Sequence, residues 1–267
     1  MHIFRDSNSK RGSSRAVLVL PGILATGQNQ INPVREVLEE CGDVFTYSYH
    51  PSLFNGGAVT NEFTQELVAL LRRYREVVIV GVSLGGIIAA LACDYIDQRL
   101  RGRVKLVLVD APYGAATMIP LPLWAHGIMR KLRIGRWANP LLNGVLKAMA
   151  VPPKPENTEL EPGVTQEEVN QKAIQGLSGH NFSLWWQQLR WMVQVQPRLD
   201  RLNLRGIKAI YLACNPERNT TVRQPQAVDA WMSVVPALDV RWVDSTHCGF
   251  LERRLRWLGA FQNALSS

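Results

Sequence analysis

The sequence predicts an α/β fold in which a mostly parallel sheet carries helices on both faces. Strand and helix patterns alternate along most of the chain, and Val104–Val109 is a nearly continuous β-branched run. Such runs are typical of parallel strands, because both faces of a parallel sheet are buried. The chain has 267 residues, of which 46% are hydrophobic and 19% charged, so it can bury a substantial core.

The predicted elements follow one another in strand–helix order. Strands are assigned to short apolar runs, and helices to segments with apolar residues at helical spacing. Repeated units of this kind imply right-handed crossovers, which place helices on both sides of the sheet. In chain order the elements are strand Ala16–Leu20, helix Pro33–Cys41, strand Val44–Tyr49, helix Asn61–Tyr74, strand Val77–Val80, a helix from Leu84 to about Gln98, strand Val104–Val109, strand Ile207–Ala213, helix Gln224–Val234, strand Asp239–Val243 and helix Phe250–Leu265.

The alternation is interrupted between Pro112 and about Arg205. This stretch holds most of the prolines and five of the eight tryptophans, and it contains no clear β-rich run. A helical insertion between two strands of one sheet is the simplest account of it. We therefore expect a core formed by residues 1–111 and 206–267, with a helical cap at residues 112–205.

The segment Gly81-Val82-Ser83-Leu84-Gly85 lies between an apolar strand and an alanine-rich helix. A serine on so sharp a turn has strained backbone angles, and glycines two residues before and after it avoid collisions with the strand and helix. This geometry lifts the Ser83 hydroxyl above the sheet and directs the Leu84 N–H toward whatever the hydroxyl attacks. The pattern predicts a nucleophilic serine.

With these features the chain resembles the α/β-hydrolase family over nearly all its length, except for the first fifteen residues and the insertion. The resemblance places Ser83 after the fifth strand of that fold and the helical cap after its sixth strand. The family's histidine lies in the loop after the last strand, where His247-Cys-Gly-Phe-Leu-Glu252 follows Asp239–Val243. A serine hydroxyl needs a base to take its proton, and the pKa of imidazole suits that task. His247 is therefore the predicted base.

The predicted triad also needs an acid that orients His247. The resemblance implies a carboxylate after the strand Ile207–Ala213, and the next one along the chain is Glu217. The surrounding segment departs from the family's usual G-x-x-D spacing. Asp110, at the end of Val104–Val109, is the alternative, because some family members take the acid from that position. Glu217 is ranked first and Asp110 second.

The negatively charged oxygen of a tetrahedral intermediate needs at least two hydrogen-bond donors. The Leu84 N–H is the first predicted donor. The second is the Ile23 N–H, with Leu24 close behind, in the glycine-containing loop after the first predicted strand. This chain has Pro21-Gly22-Ile23 where the family usually has His-Gly-x, a variant that resembles lipase-like members.

The composition of the insertion indicates which residues contact the substrate. Ala111 through Pro155 contains no Asp or Glu but carries six Arg or Lys residues interleaved with large apolar side chains. Such a segment suits an apolar acyl pocket beside an anionic headgroup or membrane surface, while packing against the core with a solvated basic face is the alternative. The predicted substrate-contacting residues are Leu24, Trp124, Trp185 and Trp186.

Composition also limits the cofactors, partners and cellular location that we expect for this protein. The four cysteines are scattered without a C-x-x-C pair, which argues against a zinc site or disulfides and fits a reducing cytoplasm. The basic N-terminal residues lack the apolar core of a secretory signal, and no apolar run is long enough to span a membrane. We expect no metal, no cofactor and no nucleic acid, despite the formal charge of +8. The expected location is cytoplasmic, with peripheral membrane contact left open.

Together these features predict a serine hydrolase that cleaves a carboxylic ester or thioester with an apolar acyl group through an acyl-serine intermediate. The same triad with an alcohol acceptor would be an acyltransferase, and the sequence does not separate the two. A non-catalytic ligand-binding protein of the same fold is the alternative from a different class, and the irregular segment around Glu217 is what keeps it open.

Overall fold

A computed structural model gives the structure of the chain. It describes residues 3–5, 12–23, 25, 30, 32–49, 53–54, 58–118, 163, 165, 167–168, 171, 182–218, 221–247, 249–250 and 253–267. The side chains of residues 3–5, 182–183, 185–186 and 218 lie outside this description.

In the described part of the chain, seven strands form one sheet in the order β1-β3-β2-β4-β5-β6-β7. Neighbours among β2 to β7 all run parallel, whereas β1 pairs with β3 in antiparallel register, with Ile3 opposite Tyr47. The strands are β1 Ile3–Arg5, β2 Arg15–Leu20, β3 Asp43–Tyr47, β4 Glu76–Val82, β5 Val104–Val109, β6 Lys208–Cys214 and β7 Asp239–Val243.

The helices connect these strands as crossovers. They are α1 Arg35–Cys41, α2 Ala58–Arg73, α3 Leu84–Tyr95, the short α4 Gln98–Arg101, α5 Phe182–Leu199, α6 Gln224–Val234 and α7 Arg254–Ser266. Three 3₁₀ turns accompany them, at Asn32–Val34, Ala115–Thr117 and Pro216–Arg218. The predicted fold class, a mostly parallel sheet with helices on both faces, is confirmed.

Alternation along the strands produces two separate hydrophobic clusters, one on each face of the sheet. Leu18, Ile79 and Leu106 point to one face, where α2, α3, α5 and α6 supply residues including Phe63 and Trp231. The other face is covered by α1 and α7 and contains the complementary strand residues, Val17, Val19, Val78, Val80, Val107 and Val109. Because successive side chains of a strand point to opposite faces, a strand that is apolar at every position is buried on both faces of the sheet.

The sequence prediction missed one strand and shifted several boundaries. β1 lies within the basic N-terminal segment, where three residues pair through backbone hydrogen bonds that side-chain patterning does not reveal. β3 ends at Tyr47 rather than Tyr49, and α7 begins at Arg254 rather than Phe250. Counted along this chain with β1 included, the serine turn follows the fourth strand and the insertion follows the fifth, rather than the fifth and sixth.

The described part of the insertion packs against the sheet. Trp191 of α5 is buried with an edge-to-face contact to Phe54, their ring centres 5.8 Å apart. The Tyr113 hydroxyl donates to the Leu199 carbonyl at 2.7 Å, and its ring meets that of Trp231 edge-on at 5.0 Å. These contacts fix α5 to the core, and the boundaries of a separate cap at 112 and 205 stay a prediction. Residues 119–155 of the basic segment Ala111 through Pro155, which carry all six of its Arg and Lys residues, lie outside the described residues.

Candidate active site

Ser83 lies on the turn between β4 and α3. Its backbone has φ 50° and ψ −117°, a region that L-amino acids rarely adopt. Its N–H donates to the Val109 carbonyl at 2.8 Å, and its own carbonyl accepts from the Gly86 N–H at 2.9 Å. Among the described residues the only other non-glycine residue with positive φ is Asp110. Strain of this kind, about 1–3 kcal/mol for each residue, is concentrated at functional sites.

The glycines around Ser83 are required by close backbone contacts. A Cβ on Gly81 would lie 2.6 Å from the Gly86 Cα, and one on Gly86 would lie 2.5 Å from the Ala111 Cβ. A Cβ on Gly85 would overlap the Leu20 carbonyl oxygen. The turn is therefore wedged between β2, β5 and its own helix, which holds Ser83 at the carboxyl edge of the sheet.

The loop after β2 lies directly against this serine. A Cβ on Gly22 would be only 3.2 Å from the Ser83 Cβ, so a larger residue there would require the loop or the serine to shift by a few tenths of an ångström. The loop is held by two side chains: the Gly22 N–H donates to Gln30 Oε1 at 3.1 Å, and the Tyr49 hydroxyl donates to the Pro21 carbonyl at 2.9 Å. Because the Gly22 N–H is engaged, an oxyanion donor from this loop has to come from a later residue. Ile23 is the next one and is half-buried.

Asp110 follows β5 immediately and is fully buried. Its backbone φ of 47° turns the chain sharply out of the strand, and its N–H donates to the Leu212 carbonyl at 2.9 Å. Its Oδ1 accepts two hydrogen bonds, from the Cys214 N–H at 2.7 Å and from Gln224 Nε2 at 2.9 Å. Both donors stabilise the ionised carboxylate and fix its orientation.

The other carboxylate oxygen of Asp110 faces the imidazole of His247. Oδ2 lies 3.9 Å from His247 Nδ1, close enough for a charge interaction but too far for a hydrogen bond. Within the described part of the chain, this buried Nδ1 has no hydrogen-bond partner. Burial lowers the pKa of His247 from its ordinary value of 6.5, and the Asp110 carboxylate acts in the opposite direction by raising it.

The loop that carries His247 is held in place by hydrogen bonds of Ser245, one of them to α7. The Ser245 N–H donates to the Val243 carbonyl at 2.8 Å, and its hydroxyl accepts from Trp257 Nε1 at 2.9 Å. Trp257 is fully buried, so this contact ties the loop after β7 to α7. Asp244, in the same loop, forms an ion pair with Arg256 of α7.

A buried polar network supports Asp110 from α6, and nothing in the sequence analysis identified it. Gln224 is 1% exposed; its Nε2 donates to the Asp110 carboxylate, which can only accept, and its Oε1 lies 2.9 Å from the Tyr211 hydroxyl. The Ala111 carbonyl next to the acid accepts from Trp231 Nε1 at 2.9 Å. Gln224 is a polar residue at the first position of a helix, a place where solvent exposure is the ordinary expectation, so only the fold identifies its role.

Glu217, the acid ranked first from the sequence, is exposed on the 3₁₀ turn Pro216–Arg218. Its N–H donates to Asn215 Oδ1 at 3.0 Å, as in an Asx turn. The structure thus brings Asp110, not Glu217, beside His247. Leu84, predicted to donate its N–H to the oxyanion, begins α3 next to Ser83, and its role as a donor stays a prediction.

The predicted substrate contacts fall largely outside the described residues. This holds for Leu24 and Trp124 completely, and for the side chains of Trp185 and Trp186, whose backbone belongs to α5.

One group of side chains at the site has the composition of a metal-binding set. A carboxylate oxygen of Asp110, the Cys214 sulfur and an imidazole nitrogen of His247 all lie within 4.8 Å of one another. Cys214 ends β6 and is buried. Sequence reasoning passed over it, because the three residues are far apart along the chain and match no metal-ligand spacing.

Comparisons with known proteins agree with this architecture. The sequence model described as "Alpha/beta hydrolase family" matches residues 38–260. A hydrolase from Pseudomonas aeruginosa PA01 is 16% identical, with a TM-score of 0.68 over 100% of this chain and 98% of its own. An esterase from Exiguobacterium antarcticum is 15% identical, with a TM-score of 0.65 over 96% and 93% of the two chains. An enol-lactonase from Burkholderia xenovorans LB400 is 11% identical, with a TM-score of 0.64 over 100% and 96%. At such identities the structures show the shared fold alone.

A search of curated proteins found no significant sequence match. Among the helices the structure describes, none combines the length and the hydrophobicity needed to cross a membrane.

Proposed function

The chain belongs to the alpha/beta hydrolase family, and we propose that it is a serine hydrolase that cleaves a small-molecule ester or thioester without a cofactor. The observation that carries the proposal is the placement of Asp110 Oδ2 3.9 Å from His247 Nδ1, at the same edge of the sheet as the strained Ser83 turn. Asp110 and Ser83 directly follow the adjacent parallel strands β5 and β4. In open α/β sheets this carboxyl edge is where ligands bind.

In this mechanism Ser83 attacks the carbonyl carbon while His247 takes its proton. Asp110 holds the imidazole with its protonated Nδ1 toward the carboxylate and stabilises the imidazolium that forms. The C–O or C–S bond then breaks as His247 returns the proton to the leaving group, which leaves an acyl-serine. Water attacks this ester with the same proton transfers and frees the acid and the serine.

The Leu84 and Ile23 N–H groups are the proposed donors to the oxyanion. Two features support them. Leu84 is the first residue of α3, where backbone N–H groups have no carbonyl partner within the helix, and the loop that contains Gly22 lies against Ser83. Asp110 is proposed as the acid in place of Glu217, because it is buried, oriented by two donors and beside His247, whereas Glu217 is exposed.

The names of similar structures, an esterase and an enol-lactonase, suit an ester-type carbonyl. We take the substrate class from this chemistry and from the apolar residues of the insertion. Proposals that the basic segment meets an anionic membrane surface, and that the protein is cytoplasmic, rest on composition alone.

The test combines a fluorophosphonate probe with p-nitrophenyl esters of graded acyl length. Labelling and hydrolysis are expected in the wild-type protein and in Ser233→Ala, an exposed control, and are expected to disappear in Ser83→Ala. Labelling that persists in Ser83→Ala contradicts the assignment of the nucleophile. A wild-type protein that neither labels nor hydrolyses any ester favours the ligand-binding alternative. Rates that fall steadily with acyl length contradict an apolar acyl pocket.

A further inference from the structure

We propose that Asp110, Cys214 and His247 form an inhibitory site for a thiophilic divalent cation such as Zn²⁺ or Cd²⁺. The three residues come from the ends of β5 and β6 and from the loop after β7, so the sheet topology alone brings them together. Their ligand atoms lie within 4.8 Å of one another. The catalytic proposal uses the carboxylate and the imidazole but gives no role to the thiol.

The donor set has the chemistry that zinc prefers: one oxygen, one sulfur and one nitrogen, with Zn–O and Zn–N bonds of about 2.0–2.2 Å and Zn–S bonds of about 2.3 Å. Asp110 Oδ2 and His247 Nδ1 are 3.9 Å apart, so bonds of this length to both at a tetrahedral angle require the two atoms to approach each other by about 0.5 Å. The Cys214 sulfur lies within 4.8 Å of both atoms, so it has to approach by at most about 1 Å to complete three ligands of a tetrahedron. Water supplies the fourth.

Burial and charge support the same assignment. Asp110 and Cys214 are each 0% exposed, and His247 Nδ1 has no hydrogen-bond partner among the described residues. The Cys214 N–H and Gln224 hold Asp110 Oδ1, which keeps the second oxygen directed at the imidazole. A coordinated thiol is deprotonated, so the thiolate and the carboxylate together balance the charge of a divalent cation. The thiol proton passes to solvent, and binding is therefore weaker at low pH.

A cation at this position inactivates the base through the imidazole tautomer. When Nδ1 ligates the metal, the neutral ring carries its proton on Nε2. Nε2 then has no lone pair with which to accept the Ser83 proton, and Asp110 is drawn to the cation instead of to the ring. Only this consequence for catalysis rests on the proposed function; binding of the cation does not.

The experiment titrates Cd²⁺ and Zn²⁺ into the purified full-length protein and records two signals. One is the ultraviolet charge-transfer absorption of a Cd²⁺–thiolate bond, and the other is the rate of p-nitrophenyl ester hydrolysis. Cys214→Ser removes the thiolate ligand but keeps the backbone N–H. Cys93→Ser is the matched control, since Cys93 is equally buried but lies in the last turn of α3.

Wild-type protein and Cys93→Ser are expected to show the absorption and an inhibition that a chelator reverses. Cys214→Ser is expected to lose the absorption and to need at least tenfold more cation for half-inhibition. An absorption band or an inhibition constant unchanged in Cys214→Ser overturns the site and assigns binding to other groups. A Cys214-dependent band in a protein without hydrolytic activity retains the metal site and rejects the proposed function. Inhibition without any band rejects the metal site and leaves the proposed function standing.

Discussion

Replacement of Asp110 by asparagine is the sharpest test of the proposed triad. Asparagine keeps the size of the side chain and tolerates the positive φ of this position, so the fold is expected to persist. If the amide oxygen takes the place of Oδ1, it still accepts from the Cys214 N–H and from Gln224. The amide NH₂ then faces His247 Nδ1, and the imidazole loses both its negative partner and the acceptor that selects its tautomer.

The size of the effect follows from the separation of the two charges. At 3.9 Å and an effective dielectric constant of about 20, Coulomb's law gives roughly 4 kcal/mol for the interaction of Asp110 with protonated His247. This interaction exists only when the imidazolium forms, so its loss raises the barrier by a comparable amount. We expect kcat/KM to fall by a factor on the order of 10³.

The assay measures kcat/KM for a p-nitrophenyl ester at a pH where the histidine is neutral, with thermal unfolding to confirm the fold. Glu217→Gln is the matched variant, because it makes the same carboxylate-to-amide change at the exposed competitor, and it is expected to retain wild-type activity within about twofold, as surface substitutions commonly do. The reasoning is refuted if Glu217→Gln loses as much activity as Asp110→Asn, or if Asp110→Asn stays within tenfold of wild type.

Three further predictions concern the groups around the triad. Because burial lowers the pKa of His247, kcat/KM should rise with pH through a midpoint below 6.5. In Asp110→Asn the midpoint should be lower still, because the carboxylate that raises this pKa is gone. A wild-type pH profile with a midpoint above 6.5 contradicts this. Gln224→Leu removes a hydrogen bond to a charged group worth about 1.5–3 kcal/mol, so kcat should fall roughly 10- to 100-fold in steady-state assays, whereas the exposed Gln226→Leu on the same helix should not change it. Gly85→Ala forces a Cβ against the carbonyl oxygen of Leu20, at the end of β2, and should lower the free energy of unfolding by about 1–3 kcal/mol in denaturant titrations. Gly259→Ala in α7 has open space around its Cβ and should be neutral or stabilising. Equal stability of the two variants would contradict the packing described for the turn.

The sequence was most informative where a side-chain period repeats over a whole element. β5, α6 and β7 have the predicted limits, and the glycines around Ser83 identified the turn because their absence of a Cβ is a requirement of backbone contact. β1 was missed because its pairing depends on backbone groups, which every sequence possesses. The roles of Ser83 as nucleophile and His247 as base stay proposals.

The choice of acid illustrates what a linear pattern does not contain. Two carboxylates, Asp110 and Glu217, follow neighbouring strands, and each position suited an acid. The decision depends on which of them the folded loops bury and aim at His247, and a 3₁₀ turn exposes Glu217, while a positive φ turns Asp110 inward. Orientation by Gln224 and the proximity of the Cys214 thiol arise in the same way, from β5, β6 and α6 meeting at one edge.

The sequence by itself therefore determined the parallel α/β architecture and the serine turn, because hydrophobic periodicity and the steric requirement for glycine depend on residues that are close together in the chain. Only the tertiary structure decided which carboxylate faces the imidazole, what orients it and which thiol lies alongside, because those contacts join residues more than a hundred positions apart and depend on the strand order of the sheet.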